Sequence, residues 1–335
     1  MNLRRNMLIP AAALVLLVSS CNYLDVSDQL AGGLQNTDEV FENVSYTKRW
    51  YASIFTGIPD YSGLNSTNVN GFKNPWASIC DELVTGYGNA SKYNNSDKNA
   101  TNVSFHRYGD CYKAIRQANI FLQKAHVITA GGTQGDELLE PELKRYQANA
   151  RFMRAFYHYL LFEQYGPIII VGDKVYEATE SQDMSRNSVD EVVEYLDKEL
   201  LASADELSQE PIIDENYRAE PTKGVALAVR AKMWVYAASP LLNGGFNEAL
   251  NIANPDGKKL FPIADAAKWE RARQACADFI NYANENNRYE LYYAAPEKNG
   301  VVNPEKSVYE LFQKYTKEII WATATADWGG LDGDA

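Results

Sequence analysis

Few residues in this sequence have types and spacing suited to chemistry. The thiol of Cys21 ends an apolar run, Met7 to Val18, and follows the small pair Ser19-Ser20. A thiolate is a nucleophile that can take up a lipid, and small residues before it leave the backbone open to a peptidase. The second set lies between residues 61 and 104, where Asn, Ser and Gly are dense and Tyr61, Phe72, Trp76, Tyr87, Tyr93 and Phe105 are scattered among or beside them. Flat rings beside amides stack on and hydrogen-bond to sugars or peptides. The candidate ligand-binding residues are therefore Trp76, Tyr87, Asn89, Tyr93 and Asn94, with Trp328 on a terminal Trp-Gly-Gly turn as a further one. Gly86, Gly88 and the Asn run cannot form a core, so Tyr87 and Tyr93 are expected to be exposed. Trp76 fits a loop platform and a helix face shared with Ile79 and Leu83 equally well.

Bond-breaking chemistry has no comparable support. The sequence lacks GxSxG, HExxH and any Gly-rich phosphate loop. His106, His126 and His158 stand apart from one another and from any cysteine pair, so no zinc signature exists and neither a metal nor a cofactor is expected. A glycoside hydrolase needs two carboxylates held about 5 to 10 Å apart, and the 44 acidic residues form no recognisable pair. The net charge of -12 leaves no basic face for nucleic acid. A Cys80–Cys111 disulfide is conceivable in an oxidising compartment; buried free thiols at Cys80, Cys111 and Cys276 are the simpler expectation.

The N-terminus reads as an export signal, with Arg4 and Arg5 before the short apolar run. That run is shorter than the ~20 residues a membrane-spanning helix needs. Val18-Ser19-Ser20-Cys21 resembles the bacterial lipobox, which implies removal of a signal peptide at 1–20 and lipidation of Cys21. No second apolar run approaches membrane length, so the body is expected to be soluble and lipid-anchored by its first residue.

The elements that must position these residues are helical. Residues 36–56 read as one helix, with Asn36 as its cap and Asp38 and Glu39 in its first turn. From Tyr108 onward helices dominate: 108–125 with Cys111, Ile115, Ala118 and Leu122 on one face, 141–166 stopped by Gly166-Pro167, a helix opened by the capping box Ser188-Val189-Asp190-Glu191, 222–239 stopped by Ser239-Pro240, and one begun by Asp265. Ile168-Ile169-Ile170-Val171 reads as a short extended run. Long helices alternate with loops, with alanines at crossings and aromatics opposite. The fold expected is all-α, tetratricopeptide-like helix pairs forming an α-α superhelix with long irregular loop insertions. A generic helical bundle fits the periodicity as well.

Several segments together resemble the SusD/RagB family. They are Ala150-Arg151-Phe152, Arg154-Ala155-Phe156 and Tyr165-Gly166; Thr222-Lys223-Gly224 with Ala226, Ala228, Ala231, Ala237 to Leu241 and Asn243-Gly244; Ile115, Arg116, Ala118 and Asn119; Asp81-Glu82; and Leu24-Asp25 after Cys21. Arg151 and Arg154 are read as helix-pair packing, not as a catalytic centre. The resemblance implies a single helical-repeat domain over 21–335, with 61–107 as a ligand-facing insertion. It also implies a chain incomplete at its C-terminal end, since family members continue further. It further implies a non-enzymatic outer-membrane lipoprotein, facing the cell surface, that binds oligosaccharides or peptides. A SusC-like TonB-dependent transporter would be its partner. The alternative is a helical-repeat scaffold lipoprotein that binds only protein.

Overall fold

The computed structural model describes residues 37–59, 106–129, 137–176, 180, 184–297, 299–311 and 313–322. These contain eight α-helices: α1 Thr37–Phe41, α2 Val44–Ile54, α3 Tyr108–Lys124, α4 Glu140–Tyr165, α5 Val189–Glu206, α6 Lys223–Ala238, α7 Ala267–Asn284 and α8 Pro304–Leu311. From α2 to α7 each helix packs chiefly on its neighbours in the chain, which is the serial pairing of a superhelix. The all-α, tetratricopeptide-like architecture is thus the one the sequence pattern implies.

Local signals set most helix ends. The Ser188 hydroxyl accepts from Glu191 N while Ser188 N donates to the Glu191 carboxylate at 2.8 Å, closing the capping box of α5. Gly166, at φ 67°, ends α4 in a conformation that only glycine adopts at little cost. Two expectations are corrected. The helix expected over 36–56 is two helices broken at Glu42-Asn43. Asn43 is extended and its side chain accepts from Tyr46 N at 3.0 Å, so it caps a fresh helix. Asp265 lies one residue outside the cap position of α7, although its side chain still accepts from Ala267 N at 2.9 Å.

Alanines let the helices approach: Ala118, Ala150, Ala155, Ala226, Ala237 and Ala275 are fully buried. Charged seams then fix their register. Between α4 and α5, Arg154 donates to Glu199 at 2.7 Å, and Arg151 reaches both Glu199 and Glu206. Burial pushes the Glu199 carboxyl up, but the hydrogen bond and charge of Arg154, with Arg151 behind it, hold it below its ordinary value. Between α5 and α6, buried Asp197 accepts from Arg230 Nε and from Trp234 Nε1, both at 2.6 Å. Arg230 continues to Asp278 on α7 at 2.7 Å, and Arg271 of α7 lies over the Trp234 ring at 4.1 Å. Arg151 and Arg154 are therefore packing residues, as their helical setting implies.

Much of the tyrosine content is core. Tyr51 stacks on Tyr146 with ring centroids 3.9 Å apart, and its hydroxyl takes a bond from Asn149 Nδ2 at 2.7 Å. Tyr157 is fully buried and donates to Ile54 O. The segment after α8 makes a turn and returns to α4. There Trp321 sets its edge against Phe152 and Phe156 and donates to Ala219 O at 2.8 Å. Cys111 is a buried free thiol, whereas Cys276 is free but only partly buried. Among the described residues no helix is long and apolar enough to cross a membrane.

Asp197→Ala leaves the Trp234 indole N–H unpaired and takes from the buried Arg230 guanidinium one of its two carboxylates, a loss of about 3 kcal/mol. Urea unfolding monitored by circular dichroism should show that drop, while Asp205→Ala on the exposed face of α5 stays within about 0.5 kcal/mol of wild type.

Candidate functional site

The candidate site is built on residues 168–176, the segment that leaves α4 after Gly166-Pro167. The extended run expected at Ile168 to Val171 belongs to no strand, and Gly172 and Asp173 turn the chain directly after it. Its amides and carbonyls therefore need other partners, and α3 supplies most of them. Tyr112, Arg116, Asn119 and Gln123 follow one another at helical spacing along one face of α3. The Tyr112 hydroxyl donates to Ile169 O at 2.8 Å and accepts from Ile169 N at 3.1 Å. Asn119 Nδ2 donates to Gly172 O and Lys174 O, both at 3.0 Å, and Gln123 Nε2 to Asp173 O at 2.8 Å. Arg116 Nη1 donates to Tyr176 O at 2.6 Å.

The inner edge is held by a histidine. His158 of α4 is fully buried, with Nδ1 2.8 Å from Arg154 O and Nε2 3.3 Å from Val171 N. The only proton assignment that satisfies both contacts puts the hydrogen on Nδ1, so Nε2 accepts. Burial pushes the imidazole pKa down to about 4, aided by the nearby Arg154 charge. His158 is a neutral clamp on the strap.

Strap and helix together wall a cleft of about 590 Å³. Tyr108, Tyr112 and Tyr176 supply its rings, Ile169, Val171 and Met184 its apolar floor, and Arg116 and Lys174 its charges. Tyr108 is 40% exposed; its ring lies 4.7 Å from Tyr112 and meets Tyr165 edge-on at 5.5 Å. The Tyr165 hydroxyl accepts from Arg107 N at 2.9 Å and Tyr108 N at 3.2 Å, fixing the start of α3. Lys174 lies over the Tyr176 ring at 4.2 Å and pairs with Glu180 at 3.1 Å. Burial raises the Tyr112 phenol, with the neighbouring Tyr108 adding to it, so the group remains a neutral hydroxyl. The arrangement can stack an apolar ring face and offer hydrogen-bond donors at its rim. On the other side of the strap a cleft of about 480 Å³ is lined by Arg151, Arg154, Tyr195 and Glu199, groups that mostly serve the α4–α5 seam.

Cys21, Trp76, Tyr87, Asn89, Tyr93, Asn94 and Trp328 lie outside the described residues. The residues of the cleft were not among the sequence candidates. Tyr108 and Tyr112, four apart at the start of a helix, offered a signal; Lys174 and Tyr176 offered none, because only the fold brings the strap onto α3.

A family model described as "SusD-like_3: Starch-binding associating with outer membrane" matches residues 35–235. The chain belongs to the SusD-like family. Three solved structures share the fold. BT4246 is 25% identical, with a TM-score of 0.59 over 79% of this chain and 45% of its own. A SusD-like protein from Bacteroides fragilis is 18% identical, with a TM-score of 0.52 over 85% of this chain and 45% of its own. Surface glycan-binding protein A from Bacteroides uniformis is 18% identical, with a TM-score of 0.50 over 83% and 51%. This chain therefore spans about half the length of the structures it resembles. No curated protein matches it. Within this SusD-like chain the quoted segments have structural roles: Gly224 leaves room for the Tyr289 ring, which an added Cβ would meet at 2.6 Å, and Asn243 bridges to Asp265 across the α6–α7 connection.

The depressed pKa of His158 sets a pH dependence. The unfolded imidazole binds a proton near pH 6.5 and the folded one only near 4, so its contribution is complete above 6.5 and is lost as pH falls toward 4. The full loss is about 3 kcal/mol by linkage. Urea midpoints between pH 7.5 and 5 should fall more steeply for wild type than for His158→Gln; parallel slopes would show that His158 is not the group responsible.

Proposed function

We propose that this SusD-like protein is a non-catalytic, lipid-anchored binder of oligosaccharides at the outer membrane, and that it passes them to a SusC-like TonB-dependent transporter. One observation carries the reading: the cleft between α3 and the strap sets three tyrosine rings beside donor groups, in a chain whose family is described as starch-binding. Sugars need that combination, since their ring faces are apolar and their rims are hydroxyls. A cleft of about 590 Å³ lies within the usual size of small-ligand sites. Cys21 is the proposed anchor, and lipidation there would hold the binder beside its transporter. Tyr87, Asn89, Tyr93 and Asn94 are proposed to contribute, because their segment precedes α3, one wall of the cleft, in the sequence. Trp76 and Trp328 are retained as further contacts.

Tyr108→Ala should weaken binding of a matched oligosaccharide about tenfold in calorimetry, the scale on which one stacked aromatic contributes. The Tyr87→Ala, Tyr93→Ala double variant tests the adjoining segment in the same titration. Full affinity in both variants would remove this cleft from consideration, and a folded protein that binds no glycan would favour the protein-binding scaffold. Separately, Cys21→Ser should abolish labelling by radioactive palmitate and move the protein from the membrane to the soluble fraction.

A further inference from the structure

Most arginines among the described residues are matched by a carboxylate. Every arginine of α4, α6 and α7 reaches a carboxylate: Arg145, Arg151, Arg154, Arg230, Arg271 and Arg273. Arg116 is different. Its bond is to the Tyr176 carbonyl, and among the described residues no carboxylate pairs with it. It is exposed and lines the tyrosine cleft, and its bond to the carbonyl uses one guanidinium nitrogen. The second cation of the cleft, Lys174, is neutralised by Glu180 at 3.1 Å. On the adjoining turn of α3, Asp110 and Lys113 pair with each other at 3.6 Å. Among the described residues the cleft thus carries one positive charge with no carboxylate partner, in a chain of net charge -12.

We propose that the cleft selects acidic oligosaccharides, whose carboxylate or sulfate is received by Arg116 while a sugar ring stacks beside Tyr108. The proposal rests on the glycan-binding reading of this cleft. Guanidinium is the group best shaped for such an anion: it is planar, permanently charged and able to donate two parallel hydrogen bonds. The Tyr176 carbonyl holds it at the cleft wall, so little side-chain freedom remains to be lost when an anion arrives. A neutral glycan offers the guanidinium hydroxyl acceptors only, which make weaker bonds than a charged partner.

The test applies the full chain, purified in detergent, to an array of neutral, uronate-bearing and sulfated oligosaccharides. Calorimetry then compares oligogalacturonate with its methyl ester, and a carrageenan oligosaccharide with its desulfated form. The expected result is that the acidic member of at least one pair binds at least tenfold tighter, with affinity falling as salt rises. The pair that responds identifies carboxylate or sulfate. Arg116→Gln should bring the ratio of acidic to neutral affinity to about one, and Arg116→Lys should restore part of the ratio. Equal affinity for acidic and neutral members overturns the acidic preference and leaves the glycan reading standing. If Arg116→Gln weakens both members alike, the residue only positions the strap and the proposal fails. Absence of binding to every glycan on the array overturns both readings.

Discussion

A segment outside helix and sheet must find other partners for its amides and carbonyls, and the strap over residues 168–176 meets that constraint largely with side chains. Four residues of α3, one of α4 and Asn187, which receives Ile170 N at 3.0 Å, bond to its backbone. Buried polar groups left unpaired cost about 1–3 kcal/mol each, so the strap has a single well-determined course as long as these partners are in place. The cleft inherits that definition. Its floor is strap and its opposite wall is α3, and the residues that hold the strap also line the space: Tyr112 and Arg116 do both. Clamp and site cannot be altered independently.

The superhelix serves the same arrangement from behind. Small residues bring α3, α4 and α5 close, and the Arg154–Glu199 pair fixes how α5 sits on α4. Arg154 also donates to Asn119 Oδ1 at 3.3 Å, so the residue that holds two strap carbonyls is itself oriented by the helix seam. His158, one turn further along α4, continues the line to Val171. A chain of bonded side chains therefore joins the α4–α5 interface to the cleft wall. Burying so many polar groups adds little net stability, because desolvation offsets most of each bond. What it adds is register, since shifting α4 by one residue would break the seam and the clamp together.

The sequence made the helices legible because their signals are local. Capping at Ser188, stops at Gly166-Pro167 and Ser239-Pro240, and alanine faces at 3.6 spacing each act within a few residues. The break at Asn43 was missed because apolar spacing runs on through it, and only its own extended backbone reveals a second cap. Asn119 is the instructive case. On composition it belongs to a solvated helix face, yet it is fully buried, because the groups it satisfies lie more than fifty residues away. No window of sequence contains both partners. Tyrosine abundance is ambiguous for another reason: it suits a sugar site and helix packing alike, and rings such as Tyr51, Tyr146 and Tyr157 pack the core with their hydroxyls bonded.

Tyrosine suits both places for one reason. Its ring is apolar and its tip is a donor and acceptor, so what decides between core and site is whether the tip or the ring face is left over. At Tyr157 both are consumed, the face by packing and the tip by Ile54 O. At Tyr112 the tip is consumed by the strap while the ring still borders the cleft. At Tyr108 neither is fully engaged, and the backbone beneath it is fixed by Tyr165. The gradient along one turn of α3, from clamped ring to open ring, is what a preformed stacking platform requires: the open ring is held in place by neighbours that are themselves fixed. Stacking of this kind gains from rigidity, since a ring already fixed loses little freedom on contact with a ligand.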